Sequence, residues 1–250
     1  EIATTFAEVA DPARWEAPTA CAGWQVRDVI GHLCDATEGY FPSWDIALNG
    51  GSPPEAYGLR AMMRMANDNA LAFRKVGREE MLDRLRDDAA KMMGHLRALS
   101  DEQWGGLMVH HPYIGPLPAM FYARFQLVDY TVHSWDIREG TGDPHGMNGD
   151  AADLLVPVIY VLWQATCDVS GVTEPFSVGI RVSGPNGGDT RADFTNEGVQ
   201  FAPGSLGGCA ATLEFDPASM ILAAYGRINT GTVRGDSEVA ARFRSLFFPI

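Results

Sequence analysis

The residues best suited to do chemistry are two histidines and two aspartates in mainly apolar sequence. Asp129 and His133 are four residues apart, so on a helix their side chains stack on one face, and Asp136 continues that face. His32 lies at the edge of an apolar stripe in an earlier segment. An unpaired buried carboxylate is costly, and binding a divalent metal together with two imidazoles removes that cost. These residue types are therefore candidates for a metal centre inside a helical bundle.

Two interpretations remain open on spacing alone. In the first, His32, Asp129 and His133 are three ligands of a catalytic zinc whose fourth position is open. In the second, Asp129 and His133 form a buried salt bridge, and His32 is merely hydrogen-bonded to a carbonyl. An aspartate and a histidine four apart are a weak motif, so the spacing does not choose between the two. We expect Asp136 to support a ligand or a helix end rather than to bind the metal.

A helical period in the first part of the chain provides the elements that carry these residues. The expected helices run from Trp24 into the forties and over about 55–75, 78–99, 118–135 and 149–170. Residues 100–117 are expected to form a loop. The segment 118–135 is apolar almost all round, which is typical of a buried helix.

From Phe176 the apolar period changes to two, which is typical of strands. The predicted strands are Phe176–Val182, Thr190–Phe194, Gly198–Phe201 and Ala210–Phe215, followed by helices Pro217–Tyr225 and Ser237–Phe247. The fold class is therefore mainly α. We expect a four-helix-type bundle over residues 1–172 and a small α+β domain over residues 173–250. Glu1 to Ala3 look like part of a further helix.

The overall composition limits the partners. The 250 residues include 19 basic and 32 acidic side chains, a net charge of −13. This charge disfavours nucleic acid and anionic membranes as partners, because both require basic surfaces. The four cysteines form no C-x-x-C pair, and there is neither a long apolar run nor a signal pattern. We expect a soluble, cytoplasmic protein that is a monomer or small homo-oligomer.

Two stretches carry a family resemblance. Residues 17–33, read as APTACAGWQVRDVIGHL, and residues 129–136, read as DYTVHSWD, resemble two signatures of the mycothiol-dependent maleylpyruvate isomerase family. That family belongs to the DinB-like metal-binding helical bundles. The resemblance implies a metal triad of His32, Asp129 and His133. The family pattern has Glu at the acidic ligand, so with the shorter Asp129 the metal would sit closer to that helix.

The C-terminal segment is similar to the sterol-carrier-like domain that many family members append. The similarity rests on Ala211–Asp216, Tyr225-Gly226-Arg227 and Arg234-Gly235-Asp236. It implies that Arg227 reaches a substrate carboxylate, and the alternative is a surface arginine. We place Arg227 and Asp136 among the catalytic residues.

The resemblance also implies the cofactors and the reaction. These are a divalent metal, expected to be zinc, and mycothiol as thiol cosubstrate, in an isomerase or S-transferase acting on an electrophilic small molecule. Two other functions remain open on the same fold: a thiol-independent biosynthetic isomerase or cyclase using Asp129 and His133 as acid and base, and a non-catalytic carrier of hydrophobic ligands. Neither the substrate nor the net reaction follows from the sequence.

Several neighbouring residues have expected roles as well. We expect Trp24 and Trp135 to pack around the site and Cys34 to be a core residue. His110 and His111 either line the pocket or are solvated. His95 and His145 are expected to be structural or surface residues.

Overall fold

The computed structural model describes residue 9 and residues 11–143, 146–229 and 231–249. The chain forms two compact units, Glu1–Gly146 and Met147–Ile250. Glu1 to Ala3 and His145 lie outside the described residues.

The first unit is built around its first long helix. Its helices are α1 (Val26–Asn49), α2 (Leu59–Ala72), α3 (Arg78–Ala98), α4 (Asp101–Gly106) and α5 (Met120–Thr141). Helix α1 packs against α2, α3 and α5, so it contacts every other long helix of the unit. A residue on α1 can therefore meet residues on α5 although the two helices are far apart in sequence.

The loop expected over residues 100–117 is wrong. This segment contains α4 and an antiparallel hairpin of strands β1 (Met108–His111) and β2 (Gly115–Pro118). The Ser100 side chain accepts a hydrogen bond from the Gln103 backbone N–H and so starts α4. The hairpin turn ends at Gly115, whose φ of 97° is accessible to glycine.

Two apolar clusters fill the first unit at opposite ends of α1. The first cluster includes the N-terminal turns of α1 and the middle and end of α5, with Val29, Ile30, Leu33, Tyr130 and Ile137 among its buried members. The second is aromatic and surrounds Tyr40 and Trp44 near the end of α1, with Tyr122 from the start of α5. The predicted metal ligands lie at the level of the first cluster.

The second unit is the α+β part of the fold. Its helices are α6 (Gly149–Thr166), α7 (Pro217–Ala224) and α8 (Ser237–Ser245), and its strands are β3 (Phe176–Val182), β4 (Gly188–Thr195), β5 (Gly198–Pro203), β6 (Ala211–Phe215) and β7 (Thr232–Gly235). The sheet order is β5-β4-β3-β6-β7, with β3 parallel to β6 and the other neighbours antiparallel. The short strand β7 was not among the predicted strands, because only one of its four side chains is shielded from solvent.

The sequence-based fold class, a mainly α protein with a helical first part and a small α+β part, is confirmed. The expected division at residue 172 falls inside the second unit, because α6 packs against α7 and β5. None of the helices among the described residues is long and apolar enough to cross a membrane.

Candidate metal centre

The start of α1 is fixed firmly, and His32 lies in the next turns. The Asp28 carboxylate accepts a hydrogen bond from the Gln25 backbone N–H, closing a capping box. Asp28 is fully buried and accepts two 2.7 Å hydrogen bonds from the Arg74 guanidinium. Burial alone would raise the pKa of Asp28, but the hydrogen bonds from Arg74 and Gln25 outweigh it and lower the pKa. The helix that carries His32 is thereby held in place.

The structure brings the three predicted ligands together. Asp129 and His133 lie one turn apart on α5, and His32 faces them from α1. One ligand atom from each residue lies within 4.8 Å of the other two. The two imidazole rings meet edge-on, with centroids 5.0 Å apart. Three residues of these types so close together form a candidate metal site.

The electrostatics of the cluster depend on burial and on nearby carboxylates. Burial raises the pKa of Asp129 to about 6, although the neighbouring His133 opposes the shift. Burial lowers the pKa of His133, but its hydrogen bonds to Asp136 and Cys21 outweigh that effect and raise the pKa to about 10. The cluster therefore favours positive charge at the His133 position, next to acidic groups.

Asp136 holds the ring of His133. It is fully buried, and its Oδ2 lies 2.9 Å from His133 Nδ1. This contact leaves Nε2 as the ring nitrogen that can bind a metal. A carboxylate on the outer nitrogen of a histidine is a frequent support in metal sites, where it fixes the orientation of the ring.

Cys21 was not identified from the sequence. Its Sγ lies 3.1 Å from Asp136 Oδ2, to which the thiol donates, and 3.8 Å from His133 Nδ1. Cys21, His133 and Asp136 form a second group of possible ligands that shares His133 with the first. Cys21 lies inside the first family signature, but nothing in its spacing indicates that it meets Asp136.

Trp24 closes one side of the cluster. Its ring centroid lies 5.2 Å from that of His32 and 6.1 Å from that of His133. The indole N–H donates to Asn67 on α2 at 3.0 Å, which fixes the ring. This confirms the expected packing for Trp24, whereas the role of Trp135 stays a prediction. Cys34 is fully buried in the core, as expected, and burial raises its pKa to about 12.

His110 and His111 lie on β1, and His111 belongs to the aromatic cluster. It is 4% exposed, so the solvated interpretation is wrong for this residue. Its ring contacts Tyr40 and Phe125, with centroids 5.5 and 5.1 Å apart. Burial, together with His110, lowers the pKa of His111 to about 4.

Arg227 belongs to the second unit, where it is half-buried. Its guanidinium donates to the Tyr225 carbonyl at 2.8 Å. Its contact with a substrate stays a prediction.

The helical part of the chain matches a known protein family. The family described as the mycothiol maleylpyruvate isomerase N-terminal domain matches residues 1–138, a range that includes the candidate ligands and Asp136. A crystal structure described as the mycothiol-dependent maleylpyruvate isomerase is similar to this chain, with a TM-score of 0.57 and 13% sequence identity. The matched region covers 92% of this chain and 87% of the isomerase chain. A histidine-to-alanine mutant of that protein has the same score and identity, with coverages of 93% and 88%.

At 13% identity these structures show a shared fold. No curated protein matches the sequence. Because the family match spans residues 1–138 of 250, the chain belongs to the mycothiol maleylpyruvate isomerase N-terminal domain family.

Proposed function

We propose that this protein is a metal-dependent enzyme that uses mycothiol as isomerase or S-transferase on an electrophilic small molecule. The observation that carries the proposal is the convergence of His32, Asp129 and His133 within 4.8 Å in a member of this family.

The donor set suits a divalent metal, and we propose zinc. Two imidazole nitrogens and one carboxylate oxygen are ligands that zinc accepts, and three protein ligands leave a position open. Asp129 is half-buried and burial raises its pKa, so a bound cation would stabilise its ionised form. When bound, the metal supplies the positive charge that keeps a thiol deprotonated at neutral pH.

The residues of the chain organise this chemistry. Asp136 keeps the His133 ring oriented, and Trp24 packs beside the two histidine rings. Arg227 is proposed to bind a carboxylate of the substrate, since a guanidinium pairs with a carboxylate through two hydrogen bonds. Replacing Arg227 with Lys should raise KM for an anionic substrate more than it lowers kcat.

The proposed reaction begins with addition of the thiolate to one carbon of an electrophilic double bond. The electron pair of the double bond moves to the electron-withdrawing group, and the remaining single bond can rotate. Expulsion of the thiolate restores the double bond in the other configuration, so no thiol is consumed. If the adduct is protonated and released instead, the result is S-transfer.

Cobalt substitution tests the metal and the thiol without knowledge of the substrate. Wild-type protein loaded with Co²⁺ and titrated with mycothiol should develop a sulfur-to-cobalt charge-transfer band. His32→Ala should lose both Co²⁺ binding and the band. His111→Phe, which changes a buried histidine outside the cluster, should keep both. Wild-type protein that binds Co²⁺ without developing the band contradicts the thiol role.

An activity assay separates the remaining functions. Maleylpyruvate is the probe, because the structural neighbours are described as acting on it. Turnover that requires both the metal and mycothiol supports the proposal. Equal turnover without added thiol favours acid–base chemistry by Asp129 and His133. Tight binding of an apolar ligand that is unaffected by Asp129→Asn, with no turnover, favours a carrier.

A further inference from the structure

The loop that precedes α1, residues 18–24, packs against the last turns of α5. The Ala20 backbone N–H donates to the Asp136 carbonyl at 2.9 Å. A side-chain carbon at Gly140 would overlap the backbone of Pro18 and Thr19, so the loop lies directly on the helix surface there. The loop and the last turns of α5 therefore form one packed arrangement.

Internal hydrogen bonds fix the shape of this loop. The Thr19 hydroxyl accepts from the Cys21 backbone N–H at 3.2 Å and donates to the Trp24 carbonyl at 3.0 Å. The Thr19 backbone N–H also donates to the Trp24 carbonyl at 3.1 Å. Cys21 is thus held at a defined place opposite α5.

The thiol of Cys21 and the ring of His133 meet at the same oxygen. Asp136 Oδ2 lies 3.1 Å from Cys21 Sγ and 2.9 Å from His133 Nδ1. The thiol thus adds a restraint on this buried carboxylate oxygen beside the one that the His133 ring provides.

We propose that Cys21 is a positioning residue for the candidate centre, its thiol holding the Asp136 carboxylate against His133 Nδ1 so that Nε2 is presented to the metal. The inference rests on the proposed function, because it assumes that His133 is a metal ligand. It adds to that function a contact from the loop before α1, so the centre depends on a segment that supplies no ligand.

Three variants test the role of the thiol. Cys21→Ala removes the donor, Cys21→Ser keeps a donor of similar size, and Cys209→Ala makes the same chemical change in the second unit. Zinc affinity, measured by competition with a chromogenic chelator, should fall about 10-fold or more in Cys21→Ala, as is usual when a supporting contact is lost. It should stay close to the wild-type value in Cys21→Ser and Cys209→Ala.

A second readout needs no metal. In nitrogen-15 NMR of the metal-free protein, the Nδ1 proton of His133 should be shifted downfield and protected from exchange in wild type and Cys21→Ser. It should exchange faster in Cys21→Ala at an unchanged melting temperature. If wild type binds no zinc, the proposed function fails, but this measurement still decides the role of Cys21.

Other outcomes overturn the inference. Unchanged zinc affinity and unchanged proton protection in Cys21→Ala would mean that the thiol positions nothing. Equal losses in Cys21→Ser and Cys21→Ala would exclude a role as hydrogen-bond donor. A sulfur-to-cobalt band in the wild-type protein without added thiol, absent in Cys21→Ser, would make Cys21 a ligand.

Gly140→Ala is an independent variant that leaves the thiol intact. The added methyl group must displace the loop from α5. We expect it to reproduce the faster proton exchange and weaker zinc binding of Cys21→Ala. Wild-type values for both in a folded Gly140→Ala protein would contradict the positioning role of the loop.

Discussion

His133 and His111 are both nearly excluded from solvent, at 8% and 4% exposed, but their pKa values move in opposite directions. His111 lies among aromatic rings, and burial lowers its pKa to about 4. Burial also disfavours the charged form of His133, but its hydrogen bonds to Asp136 and Cys21 outweigh this and raise the pKa to about 10. The comparison indicates that burial favours the neutral form of a histidine, whereas a hydrogen bond to a buried carboxylate can favour its charged form.

The largest expected effect concerns the cluster that contains His133. Asp129→Asn removes the carboxylate while keeping the shape of the side chain, so zinc affinity should fall by more than the roughly 100-fold that loss of a supporting contact can cost. Asp129→Glu should retain binding, because it restores the charge and the ligand type. Chelator competition measures both. Wild-type affinity in Asp129→Asn would show that the metal, if bound, does not use this residue.

The next prediction concerns His111 and the dependence of stability on pH. Because the pKa of His111 falls from 6.5 to about 4 on folding, the unfolded chain binds more protons between these pH values. Stability is therefore lost as the pH falls from 6.5 to 4. Between pH 7 and pH 4.5, the unfolding free energy of His111→Phe should fall by about 2 to 3 kcal/mol less than that of the wild type. Urea unfolding at the two pH values measures this, and parallel losses would contradict the assignment.

A smaller effect concerns Asp88, a carboxyl with a shift like that of Asp129 but with a different neighbour. Burial, together with the nearby Glu38, raises the pKa of Asp88 to about 6. The folded state then binds more protons between pH 4 and 6, so stability is lost as the pH rises through this range. Since Asp88 is only partly buried, Asp88→Asn should raise the unfolding free energy by about 1 to 2 kcal/mol at pH 7.5.

The difference between Asp88→Asn and wild type should vanish near pH 4. Urea unfolding across this pH range gives the measurement. A constant difference at all pH values would mean that packing, and not ionisation, causes it.

The smallest effect returns to the aromatic cluster. The hydroxyl of Tyr122 is buried with no hydrogen-bond partner among the described residues. Removing a buried, unsatisfied hydroxyl costs nothing in hydrogen bonding, so Tyr122→Phe should leave the unfolding free energy unchanged or raise it by up to about 1 kcal/mol. Urea unfolding at pH 7 tests this, and a clear destabilisation would reveal a partner for the hydroxyl.

The parts of the site that depend on local spacing could be predicted from the sequence. Asp129 and His133 are one turn apart, and the apolar sequence around them indicates a buried helix. The long helices and most strands follow from apolar periodicity in the same way. The role of Asp136 beside His133 also follows, because three residues on a helix bring two side chains to one face.

The remainder depends on contacts between distant segments or on weak local signals. Cys21 meets Asp136 across 115 residues, and no periodicity reports such a contact. The hairpin of β1 and β2 was missed because each strand has only four residues and the turn-rich composition of the segment is typical of a loop. Helix α6 resembles a bundle helix in its own pattern, and only its packing against α7 and β5 places it with the second unit.

The packing of the loop of residues 18–24 against α5 has a consequence for how the protein folds during synthesis. During synthesis His32 and Cys21 leave the ribosome well before Asp129, His133 and Asp136. The contacts between these two groups can therefore form only after α5 has been synthesised. Closing a chain segment of this length is slow, and contacts of high sequence separation form late in folding. The candidate metal centre is therefore expected to be completed among the last events in the folding of the first unit, when the end of α5 meets a loop that was synthesised more than a hundred residues earlier.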